Sequence, residues 1–239
     1  ALRFFVMGER GADHQEVPTA AELLQFEKLI VEGFQAGALG FSTSRTAKHK
    51  AADGRLTPSL SAAEPELAAI ANAMKLADSG VLQVNSDFGP GEFEMLREAA
   101  LISGRPLSAL IIQVDHAPDL WRETLAQIGE ANAQGIVANG QVGCRPIGAL
   151  LGLDVTVNPF GNPPAYKKIE HLPLWERAAL LRTNHDLRNK LINERPVDSW
   201  SELMDYALTR AYDLSPELNY EPDPSTSVSE RARAMGCSA

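Results

Sequence analysis

Short apolar runs alternate along the chain with stretches in which apolar positions recur every three or four residues. Residues 2–7, 38–42, 81–84, 107–113 and 136–142 have strand length and strand composition. The segments between them are punctuated as helices. Thr19-Ala-Ala-Glu22 has capping-box spacing and opens a helix to about Ala36, where Gly37 closes it. Ser61-Ala-Ala-Glu64 repeats the device, and Leu67, Ile70, Ala71, Met74 and Ala77 then share one helical face before Gly80. A third helix is expected over 92–103. A fourth has Pro118 in its first turn and runs to Asn132, with Gly135 after it.

Strand and helix thus alternate about every 25 to 30 residues with short connections, which is the pattern of right-handed βαβ units and a parallel sheet. A barrel and a doubly wound open sheet both satisfy it, and no glycine-rich dinucleotide fingerprint selects the open sheet. After Val142 the texture changes. A Pro/Gly/Asn loop, VNPFGNPPAY, precedes a stretch with helices expected at 175–181, 186–194 and 201–212. The expected architecture is therefore α/β, a partial TIM barrel with a helical insertion near its C-terminal end. Residues 1–150 would hold the βα units, and 151–239 a loop and mainly helical insertion of the same domain. Residue 1 is not Met, and the capping box Ser227-Val-Ser-Glu230 opens a helix that Gly236 stops at once, so the chain reads as an internal segment.

Composition narrows the function classes. Thirty-one acidic against 22 basic residues give a net charge of -9, which repels a phosphate backbone, so nucleic acid is not an expected partner. No apolar run reaches the roughly 18 to 20 residues that span a bilayer, so no membrane association is expected. The two cysteines, Cys144 and Cys237, form neither a disulfide framework nor a Cys-x-x-Cys pair, and the expected setting is cytoplasmic.

In a parallel barrel the residues just past each strand face the site, and here they are polar: Ser42, Thr43, Ser44 and Arg45; Asn85, Ser86 and Asp87; Gln113, Asp115 and His116; Arg145. Gly40-Phe-Ser42-Thr-Ser44 approaches a nucleophile elbow but has serine where the second glycine belongs, so a strand-end cap is favoured. Arg45 suits either a bidentate clamp on a substrate carboxylate or a structural ion pair. Asp87 suits a metal ligand, a general base or, preferentially, an Asx-type turn. His116 suits a ligand or proton shuttle against a locally bonded loop residue. Gln113 and Gln141 end two strands and could donate hydrogen bonds to a carbonyl. His49, between Lys48 and Lys50, reads as a lid over an anionic substrate or, preferentially, a solvated turn. His14, His171 and His185 complete the histidines, and none has His-x-His or His-x-x-x-His spacing.

The segments GALGFSTSRT, VLQVNSDFG, SGRPLSALIIQ, GQVGCRPIGALLGLDVTVNPF and LPLWERAALLR together resemble the amidohydrolase superfamily, in the branch of the N-acyl-D-amino-acid deacylases (D-aminoacylases). The resemblance covers nearly the whole chain. It implies a TIM barrel beside a small β-sandwich, and hydrolysis of an N-acyl amino acid or related amide by zinc-activated water. The family's His-x-His after the first strand and its last-strand Asp are missing here. Where its middle strands end in metal-binding histidines, this sequence has Asn85 to Asp87 and Gln113. By the resemblance, zinc is expected in the full-length parent, with no ligand readable in this segment, and the segment alone is expected to be inactive. Arg45, Gln113 and Arg145 are the expected substrate contacts. The alternative is a non-catalytic binding module of barrel origin that recognises an acidic metabolite or partner through Arg45 and Arg145. A third possibility is a TIM-barrel lyase or isomerase in which Asp87 and Gln113 converge on substrate without metal.

Overall fold

The computed structural model describes residues 2–51, 54–61, 64–114, 117–144, 148–155, 158–194, 199–214 and 219–237. They fall into two compact units, Ala1–Cys144 and Arg145–Ala239.

The first unit opens with helix α1 (Leu2–Met7), followed by a 3-10 turn at Gly8–Ala12. Helix α2 (Ala20–Gln35) leads into strand β1 (Gly40–Arg45). Then α3 (Glu64–Ala77), β2 (Val81–Ser86), α4 (Glu92–Ser103), β3 (Leu107–Leu110), α5 (Leu120–Ala133) and β4 (Ala138–Gln141) alternate. The four strands pair in parallel in the order β1-β2-β3-β4. The chain is therefore α/β around a parallel sheet, as its alternation predicts.

The capping box at α2 forms in full. Thr19 Oγ1 accepts from the Glu22 N–H at 3.3 Å, and Glu22 accepts from the Thr19 N–H at 2.7 Å. The second expected box includes Ala62 and Ala63, which lie outside the described residues, while the Ser61 hydroxyl donates to the His14 carbonyl at 3.0 Å. Gly80 has φ +88°, and a Cβ there would sit 2.3 Å from Phe34 Cε1. Only glycine lets the chain turn into β2 beneath that ring.

One expected strand is a helix. In residues 2–7 the inward positions are Leu2, Arg3, Val6 and Met7, whereas Phe4 and Phe5 are exposed, which is helical spacing and not alternation. The six residues LRFFVM are too short for their sequence pattern to separate the two. Arg3 settles it: buried in α1, its guanidinium binds the Glu66 carboxylate of α3 and donates to the Asp13 and Glu16 carbonyls at 2.9 and 2.7 Å.

Helices α2, α3, α4 and α5 pack side by side against one face of the sheet. Phe26 and Ile30, Leu67 and Met74, Phe93 and Leu96, and Ile128 meet Leu82, Val84, Leu107, Ala109 and Ala138 in a single core. The opposite face follows from the twofold alternation of strands. Ser42, Gln83, Ser108 and Asn139 lie in register across it, and Ser44 and Asn85 are partners in the next row towards the strands' C-terminal ends.

The second unit is mainly helical: α6 (Pro164–Lys167), α7 (Leu174–Thr183), α8 (His185–Asn193), α9 (Ser199–Leu208) and α10 (Val228–Ala234). Tyr166, Ala165 and Leu191 form its small core. Arg177 is buried there and donates to the Leu153 carbonyl at 2.6 Å, the Tyr166 hydroxyl at 2.9 Å and Asp154 at 2.6 Å. Among the described residues no helix is long and apolar enough to cross a membrane.

Candidate functional site

Polar side chains gather where β1 and β2 end. The parallel ladder carries β1 three residues past its expected end, through Thr43 and Ser44 to Arg45, because each finds a partner on β2: Thr43 with Val84, Ser44 with Asn85, Arg45 with Ser86. Alternation sends Arg45 towards the helices and Ser44 to the open polar face.

Arg45 clamps a carboxylate bidentately, and that carboxylate is Glu92 of this chain. Its Nε binds Glu92 Oε1 and its Nη2 lies 3.4 Å from Oε2. The Arg45 side chain is 4% exposed and that of Glu92 17%. Ser86 Oγ donates to the same carboxylate at 3.3 Å and accepts from the Phe88 N–H at 3.0 Å. Phe88 holds φ +49°, a region that bulky side chains rarely enter.

The loop after β1 is held by Asp87. Its carboxylate accepts from the Thr46 hydroxyl at 2.7 Å and the Ala47 N–H at 2.9 Å, with Lys48 Nζ 3.5 Å away. Burial pushes this carboxyl upwards, but the Thr46 and Ala47 bonds and Lys48 outweigh it, and the net shift is downwards. The anchored loop places His49 over the open face. Its Nδ1 lies 2.6 Å from Ser44 Oγ and its Nε2 3.4 Å from the Asn85 amide nitrogen. One row below, the Ser42 hydroxyl donates to Gln83 Oε1. Ser59 Oγ donates to the Ser44 carbonyl at 2.7 Å, which fixes the backbone beneath the serine.

Of the other residues singled out in the sequence, Gln113 is exposed three residues beyond β3 and Gln141 is exposed at the end of β4. Asp115, His116 and Arg145 lie outside the described residues. His14 bonds Ser61 at 2.8 Å, and His185 pairs with Arg188 in α8. The group that local reading misses is Ser44–His49–Asn85. The available signal was the alignment of GFSTSR with VLQVNS as adjacent parallel strands, which makes Ser44 and Asn85 neighbours.

Zinc takes three or four His, Cys, Asp or Glu donors. Among the described residues no three such side chains gather. Asp87 is engaged by its loop, and both nitrogens of His49 face Ser44 and Asn85. This donor set does not fit a zinc centre. Comparison of the chain with protein-family models, curated proteins and solved structures finds no match.

Proposed function

We propose that this chain supplies successive βα units of a TIM-barrel, metal-dependent amidohydrolase that cleaves an N-acyl amino acid or a related amide. The order of the sheet carries the reading. Strands that follow one another in sequence pair in sequence, and their helices share one face. A doubly wound sheet would reverse its order and place helices on both faces. The face away from the helices then bears the hydroxyls and amides of Ser42, Ser44, Gln83, Asn85, Ser108 and Asn139 beside Val81 and Leu110, groups suited to binding an amide and a carboxylate. The GFSTSRT segment and the order of GRP, Gln113 and NPF along the chain support the same reading. By the same resemblance, which places the ligand motifs on strands not read in this sequence, the metal ligands are assigned to other parts of the full-length protein. Gln113 and Gln141 are proposed to donate to substrate carbonyls, and Arg45 to hold β1 and α4 in place behind the site. The rival binding-module reading is weaker, because Arg45, one of its two anion grips, is engaged by Glu92.

Elemental analysis of the full-length protein, beside hydrolysis of a panel of N-acyl-D-amino acids with and without chelator, tests the proposal. Stoichiometric zinc with chelator-sensitive hydrolysis is expected. Metal-free protein without amide hydrolysis would overturn it.

A further inference from the structure

We propose that Ser44 and His49 form a nucleophile–base pair, oriented by Asn85, that accepts an acyl group from an activated ester independently of any metal. The geometry has the parts such a pair requires: a hydroxyl within hydrogen-bond reach of an imidazole, and a third group against the other ring nitrogen. Ser44 Oγ and His49 Nδ1 are 2.6 Å apart, and the Asn85 amide stands against Nε2 at 3.4 Å. Three features hold the group together. Register makes Ser44 and Asn85 neighbours on one face, Asp87 pins the loop carrying His49, and Ser59 holds the Ser44 carbonyl.

Asn85 selects the tautomer. With its amide nitrogen towards Nε2 it donates there, so Nδ1 carries the proton and donates to Ser44, and the serine is not activated. A half-turn of the terminal amide brings Oδ1 to the same place, where it accepts from Nε2–H and leaves Nδ1 free to take the serine proton. No other partner of the Asn85 side chain opposes that turn among the hydrogen bonds of the described residues. In the active arrangement Ser44 Oγ attacks the ester carbonyl carbon as its proton passes to Nδ1. The bond to the leaving alkoxide or phenoxide breaks, and that group takes the proton back. Water then adds to the acyl-serine by the same route, releasing the acid and restoring the hydroxyl. The chemical class of substrate is a small acyl ester open to the polar sheet face.

The test is labelling of the full-length protein with a fluorophosphonate, mapped by mass spectrometry, together with hydrolysis of p-nitrophenyl acetate, each with chelator present. One adduct at Ser44 is expected, forming on the order of 10²-fold more slowly in His49→Ala, in line with the usual share of a general base. Ser44→Ala should lose both adduct and ester hydrolysis. As a positioning residue, Asn85 should slow labelling when changed to Ala and restore it when changed to Asp, whose carboxylate accepts from Nε2–H; a role in which Asn85 only donates would not be rescued. No adduct at Ser44 in the wild-type protein, or one indifferent to His49→Ala in a variant with an unchanged thermal midpoint, would overturn the proposal. Chelator sensitivity belongs to the amidohydrolase reading alone, so the two fail separately.

Discussion

Arg45 and Glu92 join the C-terminal end of β1 to the first turn of α4, with the guanidinium Nη2 3.4 Å from Glu92 Oε2 and Nε on the other oxygen. The Glu92 carboxylate also lies at a helix N-terminus, where the backbone dipole favours negative charge. Removing one partner leaves the other charge in a site with little water. Arg45→Met or Glu92→Leu alone should cost about 3 kcal/mol, whereas the double substitution should cost less than the sum, because no charge is left stranded. A double-mutant cycle by urea denaturation reads this directly; additive losses would mean that the pair does not act as a unit.

The second buried pair, Arg3 and Glu66, sets a pH dependence of stability. Burial pushes the Glu66 carboxyl above the ordinary glutamate range, and the adjacent Arg3 guanidinium only partly opposes it. The folded state therefore holds this proton more tightly than the unfolded chain does. The associated stability is fully present below the unfolded value and is lost as pH rises through the folded one. Glu66→Gln should flatten that part of the profile from the ordinary glutamate range upwards. Urea midpoints across mildly acidic pH, wild type against variant, check the slope.

Gly80 shows how a backbone requirement becomes a stability requirement. A side chain there meets Phe34 Cε1 at 2.3 Å and must hold φ +88°. Gly80→Ala should cost roughly 2 kcal/mol from the strained backbone together with displacement of the ring. Adding Phe34→Leu should recover only the part owed to the clash. A thermal-melt series of Gly80→Ala, Phe34→Leu and the double variant separates the two contributions.

Caps and turns are local chemistry, so they are legible in the sequence. Thr19 and Glu22 cap α2 reciprocally, α4 spans the expected residues from Glu92 to Ser103, and Val81 opens β2. The helix at Leu2–Met7 is not legible locally, because it is held by Arg3 reaching Glu66, a contact between distant segments. The C-terminal end of β1 is hidden for the related reason that a ladder with β2 extends the strand through polar residues that have no strand pattern of their own. Arg45 shows the same limit at the site: both a substrate clamp and an ion pair fit the sequence, and only the fold supplies Glu92. Ser44–His49–Asn85 required register, and register is a property of two strands together.

Gln113 tests the amidohydrolase proposal without disturbing the core. It is exposed just beyond β3. If it donates to a substrate carbonyl, Gln113→Ala should raise KM about fivefold, the equivalent of roughly 1 kcal/mol for one net hydrogen bond, and leave the thermal midpoint unmoved. Steady-state kinetics on the hydrolysed N-acyl amino acid measure it, and an unchanged KM would remove Gln113 from the site.

Asp87 couples the fold to the site through one carboxylate. Burial alone would raise its pKa, yet the Thr46 hydroxyl, the Ala47 N–H and Lys48 together hold it below the ordinary aspartate range. The sign is opposite to that of Glu66: its contribution is present above the unfolded aspartate value and is lost as pH falls through the lowered folded one. Protonation weakens the two bonds that anchor the loop, so the Ala47 amide should lose protection as the protein is acidified, before the β2 ladder does. Asp87→Ala should abolish that protection at neutral pH, and with the loop released His49 should leave Ser44 even though neither residue has been changed. Amide hydrogen exchange at Ala47 and Val84, followed from neutral pH downwards, distinguishes a local release from global unfolding. Loss of protection at both amides together would show that Asp87 supports the whole sheet and not the loop alone.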